Sequence, residues 1–322
     1  MKNNYIIGVD GGGTKTTLSM FDDNGNILDI LQDTGSNLYV YKESGVKIII
    51  KLINRVLKKH KLNYLDIEAY GIGIAGVSDV FQRELLIKEL DRINISSRAL
   101  VMSDVEAAYK ILCPSNIGIL INIGTGIICM ARDNENKTYK VAGKGHDKGD
   151  VGSGYWLGKE LLAKLLLNEA LIKYEEELKN IYKIVISEFK EKNLETLYKT
   201  LEDGKNIYKE LSNLGKNVIF LAKNGNDIAL SIVQEGTSCV SDYIIEIIEL
   251  VKHNNKKLLL AANGSIIKNS FYRKSLNDSL SFDYKKINWL ISDISPSFGA
   301  GILAANSRKI DINIKNIIKN IN

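Results

Sequence analysis

Short apolar runs separated by polar and glycine-rich turns open the chain. The run Ile6–Val9 ends at Asp10, three glycines follow at 11–13, and a second apolar run covers Leu18–Phe21. Apolar runs of this length that are bounded by a glycine turn are typical of β-strands. We therefore predict a β-hairpin with the glycines at its tip, followed by a third strand at about 27–31.

Helical and strand patterns then alternate along the chain. Apolar residues at helical spacing predict helices at about 43–59 and 80–92, and a buried strand at 70–76 lies between them. A short strand at 99–102 precedes a further helix that opens with Ser103-Asp104. Alternation of strands and helices predicts the α/β fold class with a central sheet.

The opening pattern returns about one small domain later. The run Gly118–Ile123 ends in a Gly-Thr-Gly turn at 124–126, and Ile127–Ala131 follows as a return strand. Internal duplication of this kind indicates two domains of the same topology. We place these domains at residues 1–115 and 116–295.

Two later segments complete the predicted organisation. Residues 155–253 show helical spacing with charged outer faces, which predicts an all-helical insertion in the second domain. The helix predicted at about 296–308 is rich in glycine and alanine, so its backbone can pack closely, and we expect it to pack back onto the first domain. The tail after Arg308 carries no functional signal.

The composition narrows the possible functions. The 322 residues are 45% hydrophobic and 25% charged, which suits two globular domains with sizeable cores. The net charge is only +5 and no basic cluster is interleaved with aromatic residues, so nucleic-acid binding is disfavoured. No apolar segment reaches the length of a membrane span, and the scattered Cys113, Cys129 and Cys239 indicate neither disulfides nor a zinc site. We expect a cytoplasmic protein.

The first glycine turn carries the strongest chemical signal. Successive backbone N–H groups in such a turn bind anions, and Thr14 and Lys15 add hydroxyl and ammonium donors. Asp10, at the end of the strand, is placed to hold a cation. The turn is interpreted as a phosphate-binding hairpin with a metal-anchoring carboxylate, and the alternative is a plain glycine-rich hairpin. A P-loop is excluded, because its spacing is absent and a strand follows where a helix should.

Polar side chains in the loops ahead of helices are further candidates. Asp104 is either a helix N-cap or, beside two phosphate hairpins, the base that accepts a hydroxyl proton in phosphoryl transfer. Asp150 either caps the next helix or accepts hydrogen bonds from ligand hydroxyls, and Asn37 is either an Asx-turn residue or a ligand-binding amide. His146 has no Cys or His partner in its loop, so we expect it to form hydrogen bonds rather than to ligate a metal.

Six segments carry a family resemblance when they are taken in order: Asp10–Thr16, Ser36-Asn37, Asp104, Gly124–Gly126, Gly149–Gly158 and Ser295–Ala300. Together they resemble the N-acetylglucosamine kinase-like members of the BadF/BadG/BcrA/BcrD-type ATPase family. That family belongs to the superfamily of actin, hexokinase and the Hsp70 chaperones. The resemblance covers nearly the whole chain, and it implies two duplicated ribonuclease-H-like domains around an ATP cleft.

The resemblance also implies residue roles. MgATP would be bound by Asp10, Gly12, Gly13, Thr14, Lys15, Gly124, Thr125, Gly126, Ala222, Gly264 and Ser265. The sugar would be contacted by Ser36, Asn37, Asp104, Gly145, His146 and Asp150. Asp10 would position Mg²⁺ through water, and Asp104 would deprotonate the sugar 6-hydroxyl. The implied protein is a homodimeric kinase of N-acetylglucosamine, N-acetylmuramate or glucosamine, with a role in amino-sugar metabolism and cell-wall recycling.

The chain departs from the family pattern in its predicted sugar pocket. Ile127-Ile128 follow the second glycine turn where the family has Ser and a polar residue, Lys144 stands where it has Trp, and Val151 replaces Glu. Lys144 adds a cation that would suit an acidic sugar. Two other functions stay open: an ATPase that activates a dehydratase or reductase through an iron–sulfur cluster, and a sensor of sugar or nucleotide without catalysis.

Overall fold

The chain folds into two compact units. The first comprises Met1–Asn116 together with Ser292–Asn322, and the second comprises Ile117–Ile291. The computed structural model describes residues 4–113, 118–143, 145, 150–203, 207–252, 257–284, 286–291 and 294–321. Within these ranges, no helix combines the length and the apolar character that crossing a membrane requires.

The strands and helices follow one another in an α/β pattern. The strands are Tyr5–Gly11 (β1), Lys15–Asp22 (β2), Ile27–Thr34 (β3), Ile67–Ile74 (β4), Ala99–Met102 (β5), Gly118–Ile123 (β6), Ile127–Arg132 (β7), Thr138–Ala142 (β8), Lys257–Asn263 (β9) and Lys286–Ile291 (β10). The helices are Leu38–His60 (α1), Val80–Arg92 (α2), Asp104–Leu112 (α3), Gly154–Leu167 (α4), Glu176–Phe189 (α5), Leu194–Glu202 (α6), Tyr208–Lys223 (α7), Asp227–Leu250 (α8), Ser270–Leu280 (α9), Pro296–Ser307 (α10) and Ile314–Ile321 (α11).

The first unit is built on a sheet with the strand order β3-β2-β1-β4-β5. Successive residues of a strand point to opposite faces. Accordingly Ile7 and Val9 pack in a core with α1 and α2, whereas Ile6 packs in a second core with α10 and α11. Helices therefore cover both faces of this sheet, as expected for a doubly covered α/β layer.

Helix α10 lies unusually close to its neighbours in the first unit. A Cβ atom on Gly71 of β4 would come within 2.0 Å of the Ala300 carbonyl oxygen, and one on Gly299 would come within 2.0 Å of the Ala107 carbonyl oxygen. Only glycine allows this approach of backbone to backbone. The contact at Gly299 fixes α10 directly against α3, the helix that begins with Asp104.

The second unit repeats the same sheet, with the order β8-β7-β6-β9-β10. The hairpin β6–β7 is antiparallel, and β9 pairs in parallel with both β6 and β10. One face of this sheet contributes Ile119, Ile121 and Ile123 to a core formed with the helices that lie between β8 and β9 in the chain. Five helices, α4 to α8, lie in that part of the described sequence.

The predicted α/β class and the duplicated sheet are confirmed, and so is the helical character of the segment between β8 and β9. The first long helix was predicted at 43–59, but it begins at Leu38 and contains a break at Lys42, where φ is 48° and ψ is −128°. The opening turn, Leu38–Tyr41, is a continuous apolar and aromatic run without helical periodicity, so the sequence pattern did not reveal it as helix. Strand Thr138–Ala142 and helix Ile314–Ile321 were not predicted.

Candidate active site

The carboxyl ends of several strands in the first unit lie at one edge of its sheet. β1, β4 and β5 are parallel, and β3 runs the same way because β2 is antiparallel to both of its neighbours. Asp10 of β1 pairs with Gly73 of β4, which pairs with Met102 of β5. Ligands of open α/β sheets bind at this edge. The edge is where Asp10 lies, where Asn37 follows β3 and where Asp104 follows β5.

The turn between β1 and β2 is fixed by the loop that follows β3. Two backbone N–H groups of that loop donate to Gly12 O at 3.0 Å, and Tyr41 Oη donates to Gly13 O at 2.8 Å. The N–H groups of Gly13 and Thr14 meet no acceptor in the described part of the chain. The side chains of Thr14 and Lys15 are exposed beside them. Unpaired N–H groups next to a cation form an anion site.

The two residues predicted to contact a sugar in this loop are held differently. Ser36 is fully buried, and its hydroxyl shares a hydrogen bond of 2.7 Å with Thr16, which also bonds Thr34 O at 2.7 Å. Ser36 therefore ties the loop to β2, and its ligand contact stays a prediction. Asn37 is the N-cap of α1, since its Oδ1 accepts from the Tyr39 N–H at 2.9 Å. The Nδ2 group of Asn37 is the part that can donate to a ligand.

Asp104 is the first residue of α3 and not its cap. Ser103 is the N-cap: its Oγ accepts from the Glu106 N–H at 3.4 Å, and Glu106 Oε2 accepts from the Ser103 N–H at 3.0 Å. This reciprocal capping box satisfies the helix terminus. The capping role considered for Asp104 thus belongs to its neighbour, and the half-buried carboxylate of Asp104 lies one residue beyond it.

Asp10 fits a magnesium site that a nucleotide completes. It is half-buried near the end of β1 and pairs with Thr17 across the hairpin. No group of three or more His, Cys, Asp or Glu residues in the described ranges could hold a metal by itself. Nucleotide-bound Mg²⁺ takes one or two carboxylates together with waters and phosphate oxygens. A strand-end carboxylate beside an anion-binding turn suits that mode.

The turn between β6 and β7 is fixed by the start of α4. The Gly154 N–H donates to Gly124 O at 2.8 Å, and the Tyr155 N–H donates to Thr125 O at 3.1 Å. The first N–H groups of a helix have no partner inside the helix, so they are available to hold the turn. The second predicted phosphate hairpin therefore rests on main-chain contacts with α4.

Asp150 lies against this second turn. Its side chain is only 6% exposed, and a Cβ atom on Gly126 would lie 3.2 Å from Asp150 Oδ2. The cap of α4 is Ser153, so the alternative role considered for Asp150 is filled by another residue. Behind the loop, Tyr272 Oη donates to Gly152 O at 2.8 Å. Burial, followed by the nearby Cys129 thiol, raises the pKa of Tyr272, which keeps its phenol protonated as a donor.

The other three residues predicted to bind ATP differ in their burial and packing. Gly264 packs directly on the second turn, because a Cβ atom there would come within 2.3 Å of Ile123 O. Its φ angle of 97° also favours glycine. The neighbouring Ser265 is exposed. Ala222 is buried in the core at the end of α7, so its nucleotide contact stays a prediction without support from the packing.

The loop predicted to hold the sugar is described only in part. Gly145 has a φ angle of 100°, and no atom of the other described residues lies within 4 Å of the position that a Cβ atom would take. Lys144 and His146, both singled out in the sequence, lie outside the described residues. Ile128, one of the two isoleucines that depart from the family pattern, is half-buried in β7, and a Cβ atom on Gly143 would lie 3.1 Å from its Cδ1. Ile128 therefore forms an apolar wall beside this loop.

The sequence profile of the BadF/BadG/BcrA/BcrD ATPase family matches residues 7–304. The chain belongs to this family. An N-acetylmuramic acid/N-acetylglucosamine kinase of Clostridium acetobutylicum is 27% identical over 307 residues, which cover 93% of this chain and 98% of that protein. An N-acetyl-D-glucosamine kinase of Dictyostelium discoideum is 24% identical over 327 residues, which cover 96% of this chain and all of that protein.

Solved structures agree on the fold of this member of the BadF/BadG/BcrA/BcrD family. A protein of Chromobacterium violaceum, provisionally assigned as an N-acetylglucosamine kinase, matches with a TM-score of 0.71 and 18% identity over 94% of this chain and 100% of that one. A ROK family glucokinase of Streptomyces griseus, in complex with glucose and AMPPNP, matches with a TM-score of 0.60 and 18% identity over 94% and 100%. Both place the chain in the sugar-kinase and actin-like ATPase fold.

Three tyrosines of this family member were missed by the sequence analysis. Tyr41 and Tyr272 hold the two glycine-rich regions by hydrogen bonds across 28 and 120 residues of sequence. Tyr243 on α8 lies near Asp150, and it accepts a hydrogen bond from the Val151 N–H. Burial, followed by the charges of Cys239 and Asp150, raises the pKa of Tyr243. No local pattern identifies such residues, because their partners are distant in sequence.

Proposed function

We propose that this protein is an ATP-dependent kinase that transfers the γ-phosphoryl group of ATP to a hydroxyl group of an amino sugar. The observation that carries the proposal is the edge of the first sheet, where the N–H groups of the Gly13 turn, Asp10 and Asp104 all lie at strand ends. Phosphoryl transfer to an alcohol requires a phosphate cradle, a cation site and a base that accepts the hydroxyl proton. Family membership and the curated relatives support the same activity.

Each group has a distinct role in the proposed reaction. The Gly13 and Thr14 N–H groups and the Lys15 ammonium bind phosphate oxygens of ATP. Asp10 would hold Mg²⁺, and the ion would supply charge neutralisation on the phosphates of ATP. Asp104 accepts the proton of the sugar 6-hydroxyl as that oxygen attacks the γ-phosphorus, and ADP leaves with the bridging oxygen.

The proposed acceptor is N-acetylglucosamine or a related sugar such as N-acetylmuramate or glucosamine. Curated relatives over nearly the full length of the chain carry the first two sugars in their names. Asn37 can donate to sugar hydroxyls, and Asp150 can accept from them. Ile128 offers only apolar contact, so the sugar face beside β7 is recognised by shape rather than by hydrogen bonds.

The direct test is an ADP-release assay with MgATP and a panel of N-acetylglucosamine, N-acetylmuramate, glucosamine, glucose and N-acetylmannosamine. We expect ADP formation that depends on an N-acetylated amino sugar, with the 6-phosphate identified by mass spectrometry and NMR. ADP formation that is equal with and without any sugar of the panel would contradict the kinase proposal. Omission of Mg²⁺ should abolish the sugar-dependent rate.

The activator function of other family members fits this chain less well. Bridging an iron–sulfur cluster requires accessible cysteine thiolates. Cys129 is fully buried and burial raises the pKa of its thiol, which disfavours the thiolate, and Cys113 is buried as well. Detection of iron in the purified protein would support the activator function.

Assembly and location stay predictions within the proposed function. A homodimer in the cytoplasm, with a role in cell-wall recycling, is what the family resemblance implies. Sedimentation velocity over a range of concentrations tests the dimer directly, and fractionation of cells followed by immunodetection tests the location. A sedimentation coefficient of the monomer at micromolar concentration would contradict the dimer.

A further inference from the structure

A surface pocket of the first unit lies next to the candidate site and has no role in the proposed reaction. It has a volume of about 410 Å³ and opens between the start of α1 and the start of α2. Its lining consists of Tyr41, Lys42, Glu43, Ser44, Lys47, Phe81, Gln82 and Leu85. The chemistry of this lining is mixed: two cations, one anion, an amide, two hydroxyls, two aromatic rings and a leucine side chain.

The amide of Gln82 is the first sign that the pocket takes a ligand. Gln82 is 91% buried on the first turn of α2, where its backbone N–H donates to Asp79 Oδ1 at 3.0 Å. Its buried side-chain Oε1 has no hydrogen-bond partner in the described part of the chain. Buried polar groups are nearly always paired. A half-turn of the terminal torsion exchanges oxygen and nitrogen, so the amide can present either a donor or an acceptor to a ligand.

The backbone at Lys42 is the second sign. With φ at 48° and ψ at −128°, Lys42 departs from helical geometry and divides the opening turn of α1 from the rest of the helix. Such conformations are unfavourable for residues with a side chain, and they concentrate at functional sites. Lys42 and Lys47 are both exposed, and neither forms an ion pair with the described residues. With Glu43 as the one acidic residue of the lining, the pocket carries an excess of one positive charge.

The same turn of helix connects the pocket to the candidate site. Asn37 caps the helix turn that ends in Tyr41, and Tyr41 lines the pocket while its hydroxyl donates to Gly13 O in the phosphate turn. One helical turn spans 5.4 Å. A substituent of a sugar bound at Asn37 would therefore have to extend about one helical turn along α1 to enter the pocket.

We propose that this pocket is the subsite for an anionic substituent of the sugar, namely a carboxylate joined to an N-acetylated amino sugar through a short ether arm. Lys42 and Lys47 attract the carboxylate, the Gln82 amide donates to it, and the ring of Phe81, which is 64% exposed, covers the apolar part of the arm. Glu43 opposes the anion and limits its affinity. This inference rests on the proposed sugar-kinase function and adds the part of the substrate that the pocket recognises.

The test compares one acidic and one neutral substrate, N-acetylmuramate and N-acetylglucosamine, in the ADP-release assay. We expect Lys47→Glu to lower the ratio of kcat/KM for the acidic over the neutral sugar by about tenfold, because a like charge replaces an attractive one. Lys58→Glu is the matched control, with the same charge change on an exposed position of the same helix outside the pocket. It should leave the ratio unchanged.

Gln82→Leu adds an independent measurement. It should lower the same ratio by severalfold, while the melting temperature stays equal to or rises above that of the wild type, because a buried unpaired amide is replaced by an apolar group of similar size. An unchanged ratio in both pocket variants, or a wild-type enzyme that phosphorylates N-acetylglucosamine but not N-acetylmuramate, would overturn the subsite alone. A wild-type protein that phosphorylates neither sugar would overturn the proposed function itself.

Discussion

The two glycine turns stand on equivalent strands of the two sheets, yet they are fixed in different ways. The turn after β1 accepts hydrogen bonds from loop N–H groups and from the Tyr41 hydroxyl, and the exposed Lys15 follows it. The turn after β6 accepts from N–H groups of α4, packs against Gly264, and is followed by the buried Ile127. The same hairpin is thus held partly by a tyrosine side chain and followed by an exposed cation in the first unit, whereas backbone contacts hold it in the second.

The largest expected effect is on the chemical step, in a variant that leaves both glycine turns unaltered. Asp104→Asn should lower kcat by about 10²–10⁴, the range for a lost general base, while the KM for ATP changes little, because neither turn is altered. Steady-state ADP release with N-acetylglucosamine measures both constants. Ser103→Ala is the control: it removes the cap of α3, which costs about 1 kcal/mol of stability, but it leaves the carboxylate in place. Full activity of Asp104→Asn would remove this residue from the mechanism.

The second turn can be disturbed through its backbone. Gly264→Ala should destabilise the protein by about 2 kcal/mol or more, because the new Cβ atom overlaps Ile123 O at 2.3 Å and the residue keeps a positive φ. Urea unfolding measures the change, and the KM for ATP should rise. Gly225→Ala is the matched control, since its φ is also positive, at 84°, but nothing lies within 4 Å. Equal losses of unfolding free energy in the two variants would show that the packing of Gly264 against Ile123 O does not contribute to stability.

The first turn can be disturbed through a side chain. Tyr41→Phe deletes the hydroxyl that donates to Gly13 O at 2.8 Å. We expect a loss of about 1 kcal/mol in stability, the usual net value of one hydrogen bond, and a severalfold rise in the KM for ATP. Tyr174→Phe, at a residue that is 80% exposed, is the control and should change neither quantity. If Tyr41→Phe also leaves the KM for ATP unchanged, the hydroxyl does not position the turn.

The smallest expected effect concerns the charged contacts that hold α1 against β3. Asp29 Oδ2 lies 2.8 Å from Lys59 Nζ and 3.0 Å from His60 Nε2. Burial raises the pKa of Asp29, but the hydrogen bonds from Lys59 and His60 outweigh it, so the pKa falls below its ordinary value. A lowered pKa means that the stabilisation is complete above the unfolded-state pKa of about 4 and disappears as the pH falls through the folded-state value.

Asp29→Asn should therefore destabilise the protein by about 0.5–1 kcal/mol at pH 7, the range for partly exposed ion pairs. The difference from the wild type should shrink as the pH falls below about 4. Thermal unfolding at a series of pH values measures this difference. Asp91→Asn, at an exposed aspartate of α2, is the control. A difference that stays constant down to pH 3 would contradict the role assigned to the Asp29 carboxylate.

The sequence pattern could predict those parts of the molecule that are determined by residues close together in the chain. The hairpins, the repeat and the helical segment follow from apolar periodicity and glycine clusters, and the fold class follows from their order. The candidate residues Asp10, Asp104 and Asp150 follow from their positions at the ends of strands or before helices. Within each hairpin, each helix and each copy of the repeat, the informative residues lie within a few positions of one another.

Roles that depend on contacts across the fold could not be predicted. The hydrogen bond between the buried Ser36 and Thr16 joins residues 20 positions apart, and the predicted ligand contact of Ser36 stays a prediction. The caps of α3 and α4 are Ser103 and Ser153, and only the hydrogen bonds show that Asp104 and Asp150 do not cap these helices. The orphan amide of Gln82 has no sequence signature at all, because burial without a partner is a property of packing.

The close packing of α10 against Gly71 of β4 and, through its own Gly299, against α3 has a consequence for the order in which the first unit is completed during synthesis. The second unit is one continuous segment, whereas the first unit takes α10 from the far side of it. Domains generally fold as units during synthesis. The face of the first sheet that carries Ile6 therefore stays without its α10 cover until the second unit has been translated. Helix α10, which packs against the helix that begins with Asp104, therefore becomes available only after the whole second unit has been made.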